Sequence, residues 1–382
     1  MTQDIICFSH LRWNFVYQRP QHLMNLLARG SRVFFIEEPI FNADAGSHYF
    51  DAIEDPLAGV NIIVPHLAPG STQKDIVSHQ QDIMADLLQR YNIRNYISWY
   101  YSPMAWTFSH MLKPVYTVYD CMDELSAFLF APPELKTNEL ALLDHADTVF
   151  TGGRSLYAAK KDLHDNIHCF PSSIDKDHFH SARNLQDDPE DQRDIPHPRI
   201  GFYGVIDERL NIALLDEVSA ARPSWQFVLV GPVVKIDPAT LPQRPNIHYL
   251  GPKRYEELPG YLSGWDIAMM PFALNASTQF ISPTKTPEYL AGGKPVISPS
   301  ITDVVAPYGE LGLVFIADTS AEFITVTEDI LLTGIPKGWL SRVDNFLSGQ
   351  SWQQTVSEMA AIIDEGIKEK KGLMLKKQKS YV

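Results

Sequence analysis

The chain has 382 residues, 45% of them apolar, and a net charge of −14 at neutral pH. That length suits about two domains with ordinary cores. The charge argues against a general nucleic-acid binder, because phosphate backbones need a basic surface. Three scattered cysteines, Cys7, Cys121 and Cys169, are too few for a disulfide framework or a zinc site and fit a reducing compartment. Asp4 interrupts the opening apolar run, so it does not read as a signal peptide, and no run reaches transmembrane length. A cytoplasmic protein is expected.

In chain order, residues 5–8 read as a buried strand, 21–29 as a helix with Leu23, Leu26 and Leu27 on one face, and 32–37 as a second strand. Strand, helix and strand in so short a span form a βαβ unit. There is no G-x-G-x-x-G loop, so no dinucleotide fingerprint. The loop after the first strand instead carries Trp13, Gln18 and Arg19. Doubly wound sheets place ligands at that position. Arg19 is thus a candidate for the cleft or an acceptor, or else a tie between loops.

The alternation continues with strands at 61–64, 95–99, 115–119, 148–151 and 167–170. Helices are expected at 73–91, 102–112, 135–144 and 154–163. Asp120 and Asp123 fall at the C-terminal end of a strand, facing the expected crevice. Asp120 is a candidate catalytic base; Asp123 is a candidate acceptor contact or the cap of the next helix. Their D-x-x-D spacing alone makes no metal site, since nothing nearby completes an oxygen cage. Gly152-Gly153 reads as a small phosphate nest or a simple tight turn. Residues 182–198 are polar, charged and proline-bearing, and read as a linker or surface excursion.

A second α/β series starts at Ile200, with strands at 200–203, 227–230, 247–250, 267–270, 296–297 and 313–316. Gly204 ends the first of these and allows close approach of a ligand. Arg209 could reach a diphosphate with its fork, or pair with Asp207 or Glu208 on the surface. The turn holding Tyr255 is a natural place to contact a base. The organising stretch is SPTKTPEYLAGGKPVIS, residues 282–298. Ser282 is the expected cap, Pro283 suits the first turn, and Gly292 and Gly293 supply the exit. Such a helix start attracts phosphate. Lys285 adds a full charge, and Glu288 lies one turn on, suited to a sugar diol. That is the order of groups in a nucleoside diphosphate. A last helix is expected at 351–363. The lysine-rich tail KEKKGLMLKKQK reads as solvated, as an attachment to an anionic membrane, or as a linker.

The whole pattern resembles the GT-B glycosyltransferases, whose two Rossmann-like, doubly wound α/β domains face a cleft. The likeness spans nearly the whole chain and is strongest over 200–298. IGFYGVIDERLN resembles the first strand and phosphate loop of the C-terminal domain in retaining family-4 enzymes. NIHYLGPKRYEELPGYLSGWDIAMMPF resembles their base-binding turn, and SPTKTPEYLAGGKPVIS their donor helix. FPSSIDKDHF resembles the segment closing their N-terminal domain. The N-terminal FSHLRWNFVYQRPQHLMNLLARGSRVFFIEEP resembles a bacterial subgroup sometimes joined to UDP-galactopyranose mutase.

The resemblance implies an acceptor-side domain at 1–180, a linker at 181–198 and a donor-binding domain at 199–350. A helix at 351–367 would pack back on the first domain, and 368–382 would be a basic tail. It implies a hexosyltransferase-type reaction, retaining, moving a sugar from a nucleotide donor, expected to be a UDP-sugar. The acceptor would be a glycan or lipid-linked molecule in cell-surface polysaccharide synthesis. No cofactor or metal is implied. Glu288 would bind the ribose, Lys285 and Arg209 the diphosphate, and Gly204 would face the phosphates. Tyr255, Ser282 and Thr284 complete the donor set; Arg19, Asp120 and Asp123 form the acceptor side. One departure stands out: the earlier glutamate of the family's E-x7-E motif is Phe280 here. A nucleotide-sugar epimerase on the same scaffold and a non-catalytic glycan-binding or assembly protein are the alternatives.

Overall fold

A computed structural model describes residues 3–185 and 187–379, apart from the side chains at 374, 375 and 377–379. The first half forms a nine-stranded sheet from β1 (Asp4–Phe8), β2 (Val33–Ile36), β3 (Ile40–Phe41), β4 (His48–Glu54), β5 (Val60–Leu67), β6 (Tyr96–Tyr100), β7 (Tyr116–Cys121), β8 (Thr148–Thr151) and β9 (Ile167–Cys169). The order is β3-β5-β2-β1-β6-β7-β8-β9, with β4 antiparallel on β5 and the other pairs parallel. The second half forms a six-stranded parallel sheet from β10 (Arg199–Tyr203), β11 (Gln226–Val230), β12 (Ile247–Tyr249), β13 (Ile267–Met269), β14 (Val296–Ser298) and β15 (Phe315–Ile316), in the order β12-β11-β10-β13-β14-β15.

The central strands are continuous apolar runs because helices cover both faces of each sheet. Ile5, Ile6 and Cys7 are fully buried, as are Ile200 and Phe202. Strand order reverses beside β1 in one sheet and beside β10 in the other, and a crevice opens beyond the strand ends at such points.

Several expected elements differ. The helix expected at 102–112 is a 3-10 turn, Pro103–Ala105, and one helical turn, Trp106–Ser109. β3 and β4 were not anticipated, and most of their side chains are exposed. The final helix is much longer than expected, running Trp352–Lys379 through most of the basic tail; residues 380–382 of that tail lie outside the described residues. Trp352, Met359, Ile363 and Ile367 join the apolar cluster of Ile5, Cys7 and Leu23, so this helix packs on the first sheet. Lys370 donates to both carboxylate oxygens of Asp147 at 2.8 and 2.7 Å, so the start of the tail is not free.

The polar stretch 182–198 is not a loose tether. Gln192 is fully buried and accepts from Trp265 Nε1 at 2.9 Å. Asp188 pairs with the buried Arg199 at 2.6 Å. Gly152-Gly153 is not an open phosphate nest either: the carboxylate of Asp303, from the second half, accepts from Arg154 N–H at 2.8 Å and Ser155 N–H at 2.9 Å. It thereby caps the helix Arg154–Lys160 across the two halves. Asp303→Ala should cost about 1–2 kcal/mol, read as a lower denaturant midpoint, because two charge-assisted bonds vanish.

Candidate functional site

The cavity between the two halves has a volume of about 710 Å³. From the second half it is lined by Tyr203, Gly204, Arg209, Gly231, Tyr255, Thr284, Lys285 and Glu288; from the first half come residues 13–18 and Asp55, Leu57 and Ala58. It thus lies beyond the β10 end, where the strand order reverses. The size is within the range of small-molecule sites.

Gly204 has φ +139° and Gly231 φ +150°. A Cβ on Gly204 would collide with Lys285 Cε, and one on Gly231 with the Gly204 carbonyl. The bare backbone therefore lets two turns stack and the Lys285 chain pass across them. Lys285 makes no hydrogen bond or ion pair among the described residues; its Nζ lies 5.8 Å from the centre of the Phe202 ring. Burial pulls its pKa down and Arg209 adds to this, while Glu288, Asp207 and Asp123 oppose. A desolvated cation without a bound anion results.

Arg209 lines the same cavity, but Asp207 already holds part of its fork. Nε donates to the two carboxylate oxygens at 2.9 and 3.1 Å, and Nη2 to one at 2.7 Å. Pairing with Asp207 is therefore realised, and Nη1 is left for a ligand. Glu288 is 6% exposed and accepts from the Tyr203 hydroxyl at 2.8 Å. Burial pushes its carboxyl up to about 7, against the pull of Lys285, Tyr203 and Thr284. Tyr255 stacks on His178 at 4.4 Å and on Tyr17 at 4.5 Å, building an aromatic wall across the cavity. Burial raises its phenol pKa, and its hydroxyl has no partner.

The helix bearing Lys285 and Glu288 is Lys285–Ala291, shorter than expected, with Thr284 as its N-cap and no side-chain cap bond. Ser282 is not the cap. Its carbonyl accepts from Ser172 Oγ at 2.5 Å, its hydroxyl accepts from Ser172 N–H at 3.4 Å, and it lines a separate, smaller cavity. Of the two exit glycines only Gly293 is left-handed, at φ +78°.

The acceptor-side expectations need more correction. Arg19 is 2% exposed and Asp120 is fully buried. They face each other, with Nε–Oδ1 3.1 Å and Nη2–Oδ1 2.9 Å, and Arg19 Nη1 also donates to the Phe170 carbonyl at 2.8 Å. Neither lines the large cavity, so Asp120 is a structural counter-ion rather than a base in the cleft. Asp123 does not cap the next turn, Leu125–Ala127, whose N-cap is Glu124. It lies within electrostatic reach of Arg209 and Lys285 instead. Burial pushes it up to about 6, and those two cations together with Arg19 hold it down. Phe280 packs against the apolar cluster of the first sheet.

Tyr203, Tyr17 and His178 belong to the site but were not singled out from the sequence. Only Tyr203 left a signal, as the residue closing a strand immediately before Gly204. Among the described residues no three His, Cys, Asp or Glu side chains gather to hold a metal ion, and no helix is long and apolar enough to cross a membrane.

No family-wide sequence profile matches the chain. TuaH of Bacillus subtilis (strain 168), named as a teichuronic acid biosynthesis glycosyltransferase, is 27% identical over 233 residues, which are 55% of this chain and 57% of that protein. The match thus spans little more than half of that relative. Among solved structures, the E. coli trehalose-6-phosphate protein bound with UDP-2-fluoro glucose superposes with a TM-score of 0.70 at 9% identity, over 94% of this chain and 99% of that one. Sucrose-phosphate synthase from Thermosynechococcus elongatus gives 0.65 at 15% identity, over 95% and 98%. Anabaena Alr3699/HepE in complex with UDP and glucose gives 0.65 at 13% identity, over 94% and 98%. Over nearly its full length, then, this chain has the fold of glycosyltransferases of the GT-B type.

Proposed function

We propose that this protein is a glycosyltransferase that moves a sugar from a nucleotide diphosphate donor, a UDP-sugar, to a glycan or lipid-linked acceptor in cell-surface polysaccharide synthesis. The observation that carries the reading is the buried, unpaired Lys285 lying across the Gly204–Gly231 turns, with Glu288 one turn away. An anion beside Lys285 and a diol at Glu288 would complete both. The relative TuaH and the UDP-bound neighbours support the same chemistry.

In this mechanism the bond from the anomeric carbon to the diphosphate breaks, and the electron pair leaves with the diphosphate. Lys285 and the free Nη1 of Arg209 neutralise the charge that develops there, without reorganising. Closing the cleft excludes water, the competing acceptor. The retaining course and the hexosyl class are extensions of this reading. So are the boundaries of an acceptor-side domain at 1–180 and a donor domain at 199–350. Contact of the lysine-rich terminus with an anionic membrane surface is a further extension.

Calorimetric titration with UDP, GDP and ADP tests the proposal. Micromolar binding of UDP, tighter than that of the others, is the expected result; no binding by any nucleotide sinks the donor-site reading. A pH series refines it. A carboxylate at Glu288 accepts from ribose hydroxyls, whereas the protonated form loses that capacity. With its pKa near 7, UDP affinity should fall about tenfold between pH 8 and pH 6. UDP itself titrates near pH 6, so the difference between wild type and Glu288→Gln isolates the side chain. The slope should be shallower in the variant.

A further inference from the structure

A second group of polar side chains lies beside the phosphate end of the cavity, where the two halves meet. His10 follows the C-terminal end of β1, and its Nδ1 is buried with no hydrogen-bond partner. The Tyr101 carbonyl faces the ring, which fits a neutral imidazole with its proton on Nε2 and a lone pair on Nδ1. Burial, then the charge of Lys235, pushes this imidazole down to about 4. Across the gap, Glu208 Oε2 is also buried and unpartnered. Its other oxygen accepts from Leu129 N–H at 3.3 Å and lies 3.8 Å from Lys235 Nζ. The Phe128 ring packs between Lys235 at 5.1 Å and Arg209 at 5.3 Å.

Two hydrogen-bond acceptors without donors, beside one already paired cation, define the complementary ligand. It must donate hydrogen bonds and need not be charged; a phosphate would meet the Glu208 carboxylate. A buried acceptor left unmade is costly, so a ligand that completes both gains affinity. Sugar hydroxyls are such donors. We propose that His10 and Glu208 form a subsite for the hydroxyls of a neutral sugar, the acceptor unit that receives the transferred group. The identity of this sugar as acceptor rests on the glycosyltransferase reading; the subsite itself does not. It places the acceptor next to Arg209, at the diphosphate end of the donor cavity.

The test uses the full chain with ¹⁵N-labelled histidine, with and without UDP. The probes are the methyl glycosides of glucose, galactose, mannose and N-acetylglucosamine. At least one should shift the His10 ring-nitrogen resonance saturably. His10→Asn and Glu208→Gln should each weaken that glycoside about tenfold, the loss of one hydrogen bond to a buried acceptor, read for His10→Asn by the ligand's own signals. Both variants should keep UDP affinity within about twofold, as independent sites do. Two variants on opposite sides of the gap guard against misfolding of either one. If no glycoside perturbs His10 while UDP binds normally, the subsite is overturned and the donor reading stands. If a glycoside binds at His10 but no nucleotide binds the protein, the subsite stands and the transferase reading falls.

Discussion

Replacing Lys285 by alanine should abolish most nucleotide affinity and leave the protein more stable, not less. The ammonium is desolvated and has no anionic partner within hydrogen-bond reach among the described residues. Such an arrangement is a cost to the folded state, because burying a charge without its partner is unfavourable. A diphosphate supplies the missing anion. Removing the cation should therefore cost about 1.5–3 kcal/mol of binding, a loss of roughly ten- to a hundredfold in UDP affinity by calorimetry. Over the same substitution the denaturant midpoint of the free protein should hold or rise, as at sites where function opposes stability. The two readouts separate a ligand-binding lysine from a structural one. If stability and binding fall together, Lys285 is part of the scaffold and the diphosphate must be held elsewhere.

The parts of this molecule that were legible in its sequence are those governed by local spacing. Runs such as 5–8 and 200–203 are apolar throughout because both faces of their strands are covered, so period and length identified them. β4 failed that criterion: it is an edge strand with most side chains in solvent, and its identity comes from pairing with β5. Lys285 and Glu288 share a helix, so their mutual placement followed from three residues of separation. Gly204 followed from strand-end logic.

The misread residues are those whose partner lies far away in the chain. Ser282 looked like a cap by position, yet its partner is Ser172, 110 residues earlier. Gly152-Gly153 looked open until Asp303 arrived from the other half. The final helix was cut short because its basic end looked solvated, whereas Lys370 finds Asp147 on the first half. No propensity or motif encodes such meetings; they depend on how the sheets come together.

Arg19 and Asp120 are the case with the largest consequence. They are 101 residues apart and close the floor of the first crevice as a buried, bidentate pair. Burial pushes the Asp120 carboxyl up and Arg19 pulls it back. Removing one partner leaves the other charge buried without compensation. Asp120→Asn should therefore destabilise the protein by about 3–5 kcal/mol, a large share of the total stability of a typical domain. Adding Arg19→Met to Asp120→Asn should recover much of that loss, since an apolar side chain of similar length fits where a lone guanidinium does not. Chemical denaturation of the two single variants and the double variant closes the cycle. Activity provides the contrast with a catalytic base. A base lost from the cleft would leave a folded, stable and inactive protein, with full nucleotide binding. A counter-ion lost from beneath it leaves an unstable protein whose folded fraction still turns over. Wild-type stability with abolished transfer in Asp120→Asn would return this residue to the catalytic centre.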